Sequence, residues 1–162
     1  MGDAAFIRDY FVAEKHTALL WMLVGAAAIV LAAWLLRRRS AWRGMAGPLV
    51  AVALIQLAVG ATVYLRSDAQ SAQRQQSHRE DAARFKAVEA TRIRTVIADL
   101  ERYKAIEISV LALGMAVVVL LRNRPFWLAF GFGLVLQAGL MLALDFIAAA
   151  RAQTYFKAVI GT

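Results

Sequence analysis

The chain has 162 residues and a formal net charge of +8, and 61% of its residues are hydrophobic, against about 45–50% in typical soluble domains. Cysteine is absent, which excludes disulfides, thiol nucleophiles and thiolate metal sites. This composition excludes a disordered protein and most soluble enzymes and nucleic-acid-binding domains. It predicts a single membrane domain over residues 1–162.

Four apolar stretches are each long enough to cross a bilayer core of about 30 Å as a helix. Because that core offers no water to the backbone, the spanning segments must be helices that satisfy their own hydrogen bonds. The predicted spans cover residues 17–36, 45–65, 105–121 and 126–149. We therefore predict an all-α membrane protein, an up-down-up-down bundle of four transmembrane helices.

The polar segment 66–104 separates the second and third spans and holds nine basic and six acidic residues. It lacks glycine and proline, and its later part has apolar side chains mostly three or four residues apart, which is typical of a helix. We predict an extramembrane helical hairpin in which the second helix continues to about Gln73 and the third begins near Glu80. Glu89 and Arg92 have the spacing of a helical ion pair. The hairpin either packs only on itself or forms a docking surface for another protein.

The two short connections carry six arginines, namely Arg37, Arg38, Arg39, Arg43, Arg122 and Arg124. Basic residues favour the cytoplasmic side, and the first connection has four arginines and no acid. We therefore expect a bacterial inner-membrane protein with periplasmic termini and a periplasmic hairpin, and arginines that contact anionic headgroups. The total count opposes this orientation, because the other side would carry 13 Lys and Arg residues against 6.

Ionisable groups recur at one depth, where the four spans meet the hairpin. Charges within spans are rare and are candidates for function, and the helical rise of about 1.5 Å per residue gives their depth. In one interpretation the pairs Arg66–Glu107 and Arg151–Asp145 fix the register of the helices. In the other, a polar cavity binds an ion, a headgroup or a partner side chain. The candidate binding residues are Glu14, Lys15, His16, Tyr64, Arg66, Tyr103, Glu107, Asp145 and Arg151.

A metal site built from Glu14, His16, Glu107 and Asp145 would have ligands that suit zinc, manganese or iron. However, Glu14 and His16 are two residues apart and point about 200° apart on a helix. We therefore expect no metal and no cofactor. The chain also has no recognisable catalytic motif, so we assign no catalytic residue.

Gln56 and Gln137 are the only amides within the predicted spans. Near the midplane they are placed to hydrogen-bond across the bundle as structural contacts, or to form a polar step on a solute path. Small residues spaced by four positions, at 28–32, 112–116 and 139–143, let helices approach closely. We expect these to pack within one chain, with homo-oligomerisation as the alternative.

Three segments carry a family resemblance: YFVAEKH at 10–16, GATVYLRSDAQ at 60–70 and LDFIAAARAQTY at 144–155. They resemble a family of small four-helix bacterial membrane proteins that are themselves uncharacterised. The resemblance implies the architecture and carries no activity.

Three functions are compatible with these features. The first is a binding protein that engages a protein partner through the hairpin and the polar cluster, as an immunity factor or part of an envelope complex. The second is a small oligomeric channel or transporter with the cluster as its vestibule. The third is a membrane enzyme acting on lipid or envelope substrates with Glu107 and Asp145 as acid and base. No nucleic-acid partner is expected, because the positive charge is spread over several segments.

Overall fold

The computed structural model describes residues 5–38 and 41–161, and this part of the chain is almost entirely helical. The all-α prediction is therefore confirmed. Each of four long helices contains a stretch apolar enough to cross a membrane. Arg39, one of the expected headgroup contacts, lies outside the described residues. The helices are α1 (Ala5–Arg37), α2 (Ala46–Glu80), α3 (Ala82–Leu120) and α4 (Pro125–Gly161), with a short 3-10 helix (Ala41–Met45) before α2.

A single residue, Asp81, separates α2 from α3. Its backbone is extended, and its side-chain carboxylate accepts a hydrogen bond of 2.9 Å from the backbone N–H of Arg84, as an N-cap residue does. Our expectation that α2 ends near Gln73 was wrong, because α2 continues to Glu80. The polar run contains no residue that breaks a helix, so the helix extends until the cap of the next one.

Both terminal helices extend well beyond the predicted spans. α1 starts twelve residues before residue 17, and α4 continues twelve residues past residue 149. We call these two ends, together with α2 and α3 on either side of Asp81, the polar end of the molecule. A hydrophobic core fills its centre, and α1, α3 and α4 all contribute to it. The buried members are Ile7, Tyr10, Phe11, Phe85, Ile93, Tyr155 and Val159.

The helices pack closely as two pairs, α1 with α2 and α3 with α4. A Cβ atom at Gly60 of α2 would lie 2.9 Å from the carbonyl oxygen of Ala18 in α1, and one at Gly131 of α4 would lie 3.0 Å from that of Gly114 in α3. A larger residue at either glycine would therefore force the paired helices to shift. This is the contact by which small residues drive helix association in membranes.

The small residues predicted from sequence spacing make these contacts only in part. Ala28 and Ala32 are buried in a core between α1 and α2, as expected. Ala112 and Ala116 are exposed instead, because Gly114 of the same helix faces α4. Spacing identifies a small stripe, but it does not show which side of the helix meets a neighbour.

Candidate functional site

A cavity of about 270 Å³ lies among all four helices, where their apolar stretches meet the polar end. We call it the junction cavity. Its apolar walls include Trp21, Val59, Val63 and Leu100. Its polar lining consists of Tyr10, Glu14, Thr17, Arg66, Tyr103, Asp145 and Arg151. Five of the nine predicted binding residues, one or more from every helix, therefore line one space.

Arg151 joins α4 to α1 on one side of the junction cavity. Its Nη1 donates to the carbonyl oxygen of Ala13 at 2.8 Å and to the hydroxyl of Thr17 at 2.5 Å. The guanidinium lies 5.8 Å from the centre of the Tyr10 ring. Burial lowers the pKa of Arg151, while Tyr10 and Glu14 oppose this shift. The side chain remains a fixed cation, because guanidinium does not deprotonate in proteins.

Glu14 supplies a carboxylate from α1 to the same cavity. Burial raises the pKa of Glu14, whereas the charges of Arg151 and Arg66 lower it. Its Oε2 lies 3.5 Å from the hydroxyl of Ser67, which makes a shorter hydrogen bond, 2.7 Å, to the carbonyl oxygen of Val63. Glu14 is thus held in a basic environment without a short hydrogen bond from a side chain in the described part of the molecule.

Glu107 and Asp145 are buried together between α3 and α4, with exposures of 6% and 3%. Their carboxyl groups interact with each other, and within residues 5–38 and 41–161 neither oxygen of Glu107 has a hydrogen-bond donor. Two adjacent carboxyl groups can bind each other only when one carries a proton as donor. The expected pairs Arg66–Glu107 and Arg151–Asp145 are absent from the ion pairs of the described residues, so this register prediction was wrong.

The remaining predicted residues lie outside the junction cavity. Lys15 Nζ binds the carboxylate of Asp68 at 2.5 Å and lies 4.6 Å from the centre of the Tyr64 ring. His16 is exposed on α1. It therefore does not converge with Glu14, and the described residues include no group of three or more His, Cys, Asp or Glu side chains that could hold a metal ion.

The mid-membrane amides do not form the expected bond with each other. Both are fully buried. The Nε2 of Gln137 donates to the backbone carbonyl of Leu49 at 3.3 Å. Among the described residues, the amide nitrogen and oxygen of Gln56 have no hydrogen-bond partner. The spans thus contain buried polar groups that the surrounding helices leave unsatisfied.

A second buried charged group, in the polar end, was missed from the sequence. Glu89 is 0% exposed, and Arg92 donates to it through Nη2 at 2.6 Å and through Nε at 3.0 Å. The Tyr155 hydroxyl donates at 3.0 Å, and Arg74 forms an ion pair at 3.5 Å. The spacing of Glu89 and Arg92 predicted their pairing correctly. It could not predict the burial, which depends on α2 and α4.

Two tyrosines connect this network with the junction cavity. The rings of Tyr10 and Tyr155 stack with their centroids 4.2 Å apart. Burial raises the pKa of Tyr10 to about 12. Burial and the charge of Glu89 also raise the pKa of Tyr155. Both phenols are therefore neutral donors over the physiological pH range.

Comparison of the chain with protein-family models, with curated proteins and with solved structures found no match.

Proposed function

We propose that the chain is a multi-pass bacterial inner-membrane protein that works by binding a protein partner through its polar end. In this proposal the four helices cross the bilayer in alternating directions, and the polar end projects into the periplasm. Such a protein serves as a component of an envelope complex or as an immunity factor against a membrane-active toxin. The observation that carries the proposal is the polar end itself, which has its own hydrophobic core and a buried ion network.

A loop that only connects two spans needs neither feature. Burying the carboxylate of Glu89 has a large desolvation cost, and only well-placed donors from Arg92 and Tyr155 offset it. The result is a rigid surface, because four helices are fixed against one another at residues far apart in the sequence. A rigid surface loses less conformational entropy when a partner binds.

The strongest contact surface in this proposal is a groove of about 520 Å³ between α1 and α2 in the polar end. Arg8 and Arg79 line it, together with the amides Gln75 and Gln76. Its acidic residue, Asp68, is already paired with Lys15. Arg8 is itself paired with Asp9 at 3.6 Å. Among the charged lining residues, Arg79 alone therefore lacks an ion-pair partner in the described structure, which favours an acidic group on the partner. Lys15, Tyr64 and His16, which lie outside the junction cavity, extend this outer surface.

Site-specific photocrosslinking in the membranes of the native host tests this proposal. A photoreactive residue at Gln76 should yield one stoichiometric protein adduct, whereas the same residue at the exposed apolar position Val30 should yield none. Arg79→Glu should reduce the Gln76 adduct at least fivefold, and the matched charge reversal Lys157→Glu, away from the groove, should leave it unchanged. If the crosslinked adducts from position 76 are the same as those from position 30, the proposal is contradicted. Purification in mild detergent without a stoichiometric partner also contradicts it.

The orientation is tested separately. The cysteine-free chain allows single cysteines at Ala83, beside Asp81, and at Asn123, in the connection between α3 and α4. Both positions are exposed. In intact spheroplasts an impermeant maleimide should label Ala83→Cys and not Asn123→Cys. The reverse pattern places the polar end in the cytoplasm and removes the basis for a periplasmic toxin or envelope partner.

A small channel or transporter is the second candidate, and one observation favours it. Gln56 is buried within the spans with both polar atoms unpartnered in the described structure, so its amide has free capacity to bind a solute. Flux of small solutes in liposomes, abolished by Gln56→Leu, would support this candidate. An enzyme using Glu107 and Asp145 has less support, because only Asp145 lines the junction cavity.

A further inference from the structure

We propose that the junction cavity binds the headgroup of an aminophospholipid, with its phosphate at Arg66 and Arg151 and its primary ammonium at Glu14 and Asp145. This site is separate from the outer groove assigned to a protein partner. The two proposals can therefore succeed or fail independently.

The first argument is the charge of the lining. Arg66 and Arg151 face Glu14 and Asp145 around one cavity, so the lining has two basic and two acidic side chains. A zwitterionic ligand matches this arrangement, whereas a purely anionic one would leave carboxylates facing its negative charge. Arginine binds phosphate through several directed N–H groups, and a carboxylate accepts hydrogen bonds from a primary ammonium.

The second argument is the free bonding capacity of these groups. No short side-chain hydrogen bond or ion pair engages Arg66 in the described residues, and Glu14 has only the 3.5 Å contact to Ser67. The Arg151 guanidinium is fixed by Ala13 and Thr17. The site therefore offers one positioned cation, one cation able to reach a ligand, and a carboxylate without a short donor.

The third argument is the shape and place of the cavity. On α1 and α2 its polar residues Glu14 and Arg66 lie nearer the polar end than its apolar residues Trp21 and Val59. Val59 lines the cavity and is 43% exposed on the apolar surface, so this wall adjoins the lipid-facing side. A headgroup attached to acyl chains fits such a two-part site, because the first methylenes of the chains cover the apolar wall.

The ammonium requirement distinguishes lipids that share a phosphate. Phosphatidylcholine presents a quaternary ammonium without N–H donors, and phosphatidylglycerol has no cation. Neither satisfies Glu14 and Asp145 as a primary ammonium does. Free phosphoethanolamine has the same headgroup chemistry without the chains, and it separates the soluble source from the lipid source.

Native mass spectrometry of the delipidated full chain in detergent tests the proposal. Added phosphatidylethanolamine should give a one-to-one complex at least five times as abundant as those with phosphatidylglycerol or phosphatidylcholine. Free phosphoethanolamine at the same concentration should give none. Equal binding of the three lipids, or a preference for phosphatidylglycerol, overturns the proposal. Equal binding of free phosphoethanolamine overturns the lipid as the source.

Variants assign the two halves of the headgroup. Arg66→Gln should reduce the complexes with phosphatidylethanolamine and phosphatidylglycerol alike, at least fivefold. Glu14→Gln should reduce only the former and abolish the preference. The control Arg84→Gln, an exposed arginine near Asp81 that does not line the junction cavity, should change neither. Arg66→Gln or Glu14→Gln spectra that match the control overturn the assignment.

Misfolding is separated from loss of the site by a variant that keeps every charge. Val59→Trp places bulk into the cavity from its exposed wall and should abolish the phosphatidylethanolamine complex. Its thermal unfolding and gel-filtration profile should stay at wild-type values. Retained binding by a folded Val59→Trp protein overturns the placement in the junction cavity.

Discussion

Two buried acidic residues on α3 differ in the hydrogen-bond donors that surround them. Glu89, in the polar end, accepts hydrogen bonds on both carboxylate oxygens, from Arg92 and from the hydroxyl of Tyr155. Glu107, eighteen residues further along the same helix, has only Asp145 beside it and no donor from the described residues. The first acid has the surroundings of a structural element. The second is buried without a compensating donor in the described structure, which leaves its desolvation cost unbalanced.

The largest expected effect is at Glu89. Glu89→Leu leaves two buried or half-buried guanidinium groups without their carboxylate and should lower the free energy of unfolding by about 3–5 kcal/mol, the range for breaking a buried ion pair. Unfolding of the detergent-solubilised chain, followed by circular dichroism, measures this. The control Glu101→Leu removes a partly exposed pair with Lys104 and should cost no more than about 1 kcal/mol. A Glu89→Leu protein as stable as the control would show that the network is not structural.

Tyr155→Phe removes one donor from Glu89 and leaves the stacked ring in place. A hydrogen bond to a charged group contributes about 1.5–3 kcal/mol, so the loss of stability should be of that size and below that of Glu89→Leu. The same unfolding experiment measures it. In the double variant Glu89→Leu/Tyr155→Phe the hydroxyl has no acceptor to lose, so the second change should add little. Full additivity would contradict the hydrogen bond.

Tyr10 predicts an alkaline limb of the stability profile. Its pKa is raised to about 12 in the folded chain by burial, against about 10 for an exposed tyrosine. As the pH rises, the unfolded chain therefore loses the Tyr10 proton before the folded chain does. The contribution of Tyr10 to folding stability is complete below pH 10 and is lost as the pH rises towards 12. Between pH 9 and 12 the free energy of unfolding should therefore fall less steeply with pH in Tyr10→Phe than in the wild type. An unchanged Tyr10→Phe slope would contradict the shift.

The smallest effect is expected at Glu107. Glu107→Leu removes a buried acid that has no donor to lose, and stability should change by no more than about 1 kcal/mol, with a gain permitted. The identical substitution at Glu89 is the matched comparison within one helix. If both substitutions destabilise equally, the distinction between the two acids is wrong.

Much of this architecture could be predicted, because helix length and residue depth both follow from distance along the chain. Apolar length gave four helices long enough to cross a bilayer, and helical rise placed Glu14, Arg66, Tyr103, Asp145 and Arg151 at one depth. All five line the junction cavity. Depth alone does not give the direction in which a side chain points around the helix. Lys15 shares the depth of Glu14 but turns outward to Asp68.

What could not be predicted depends on contacts between distant segments. Tyr155 lies 66 residues from Glu89, and only the packing of α4 on α3 brings them together. The helix ends at Ala5 and Gly161 could not be predicted either, because the apolar residues near them pack on other helices and do not form a long hydrophobic run. The helix boundary at Asp81 is easier to recognise in the sequence, since an aspartate followed by helix-forming residues is a typical N-cap pattern.

The single-residue break at Asp81 has a mechanical consequence. α2 and α3 each run without interruption from their apolar stretch to this corner, and a helix of 35 residues is about 50 Å long. They therefore act as two stiff levers joined at the tip. A sideways displacement of the tip therefore applies a torque to both apolar stretches at once and changes their tilt.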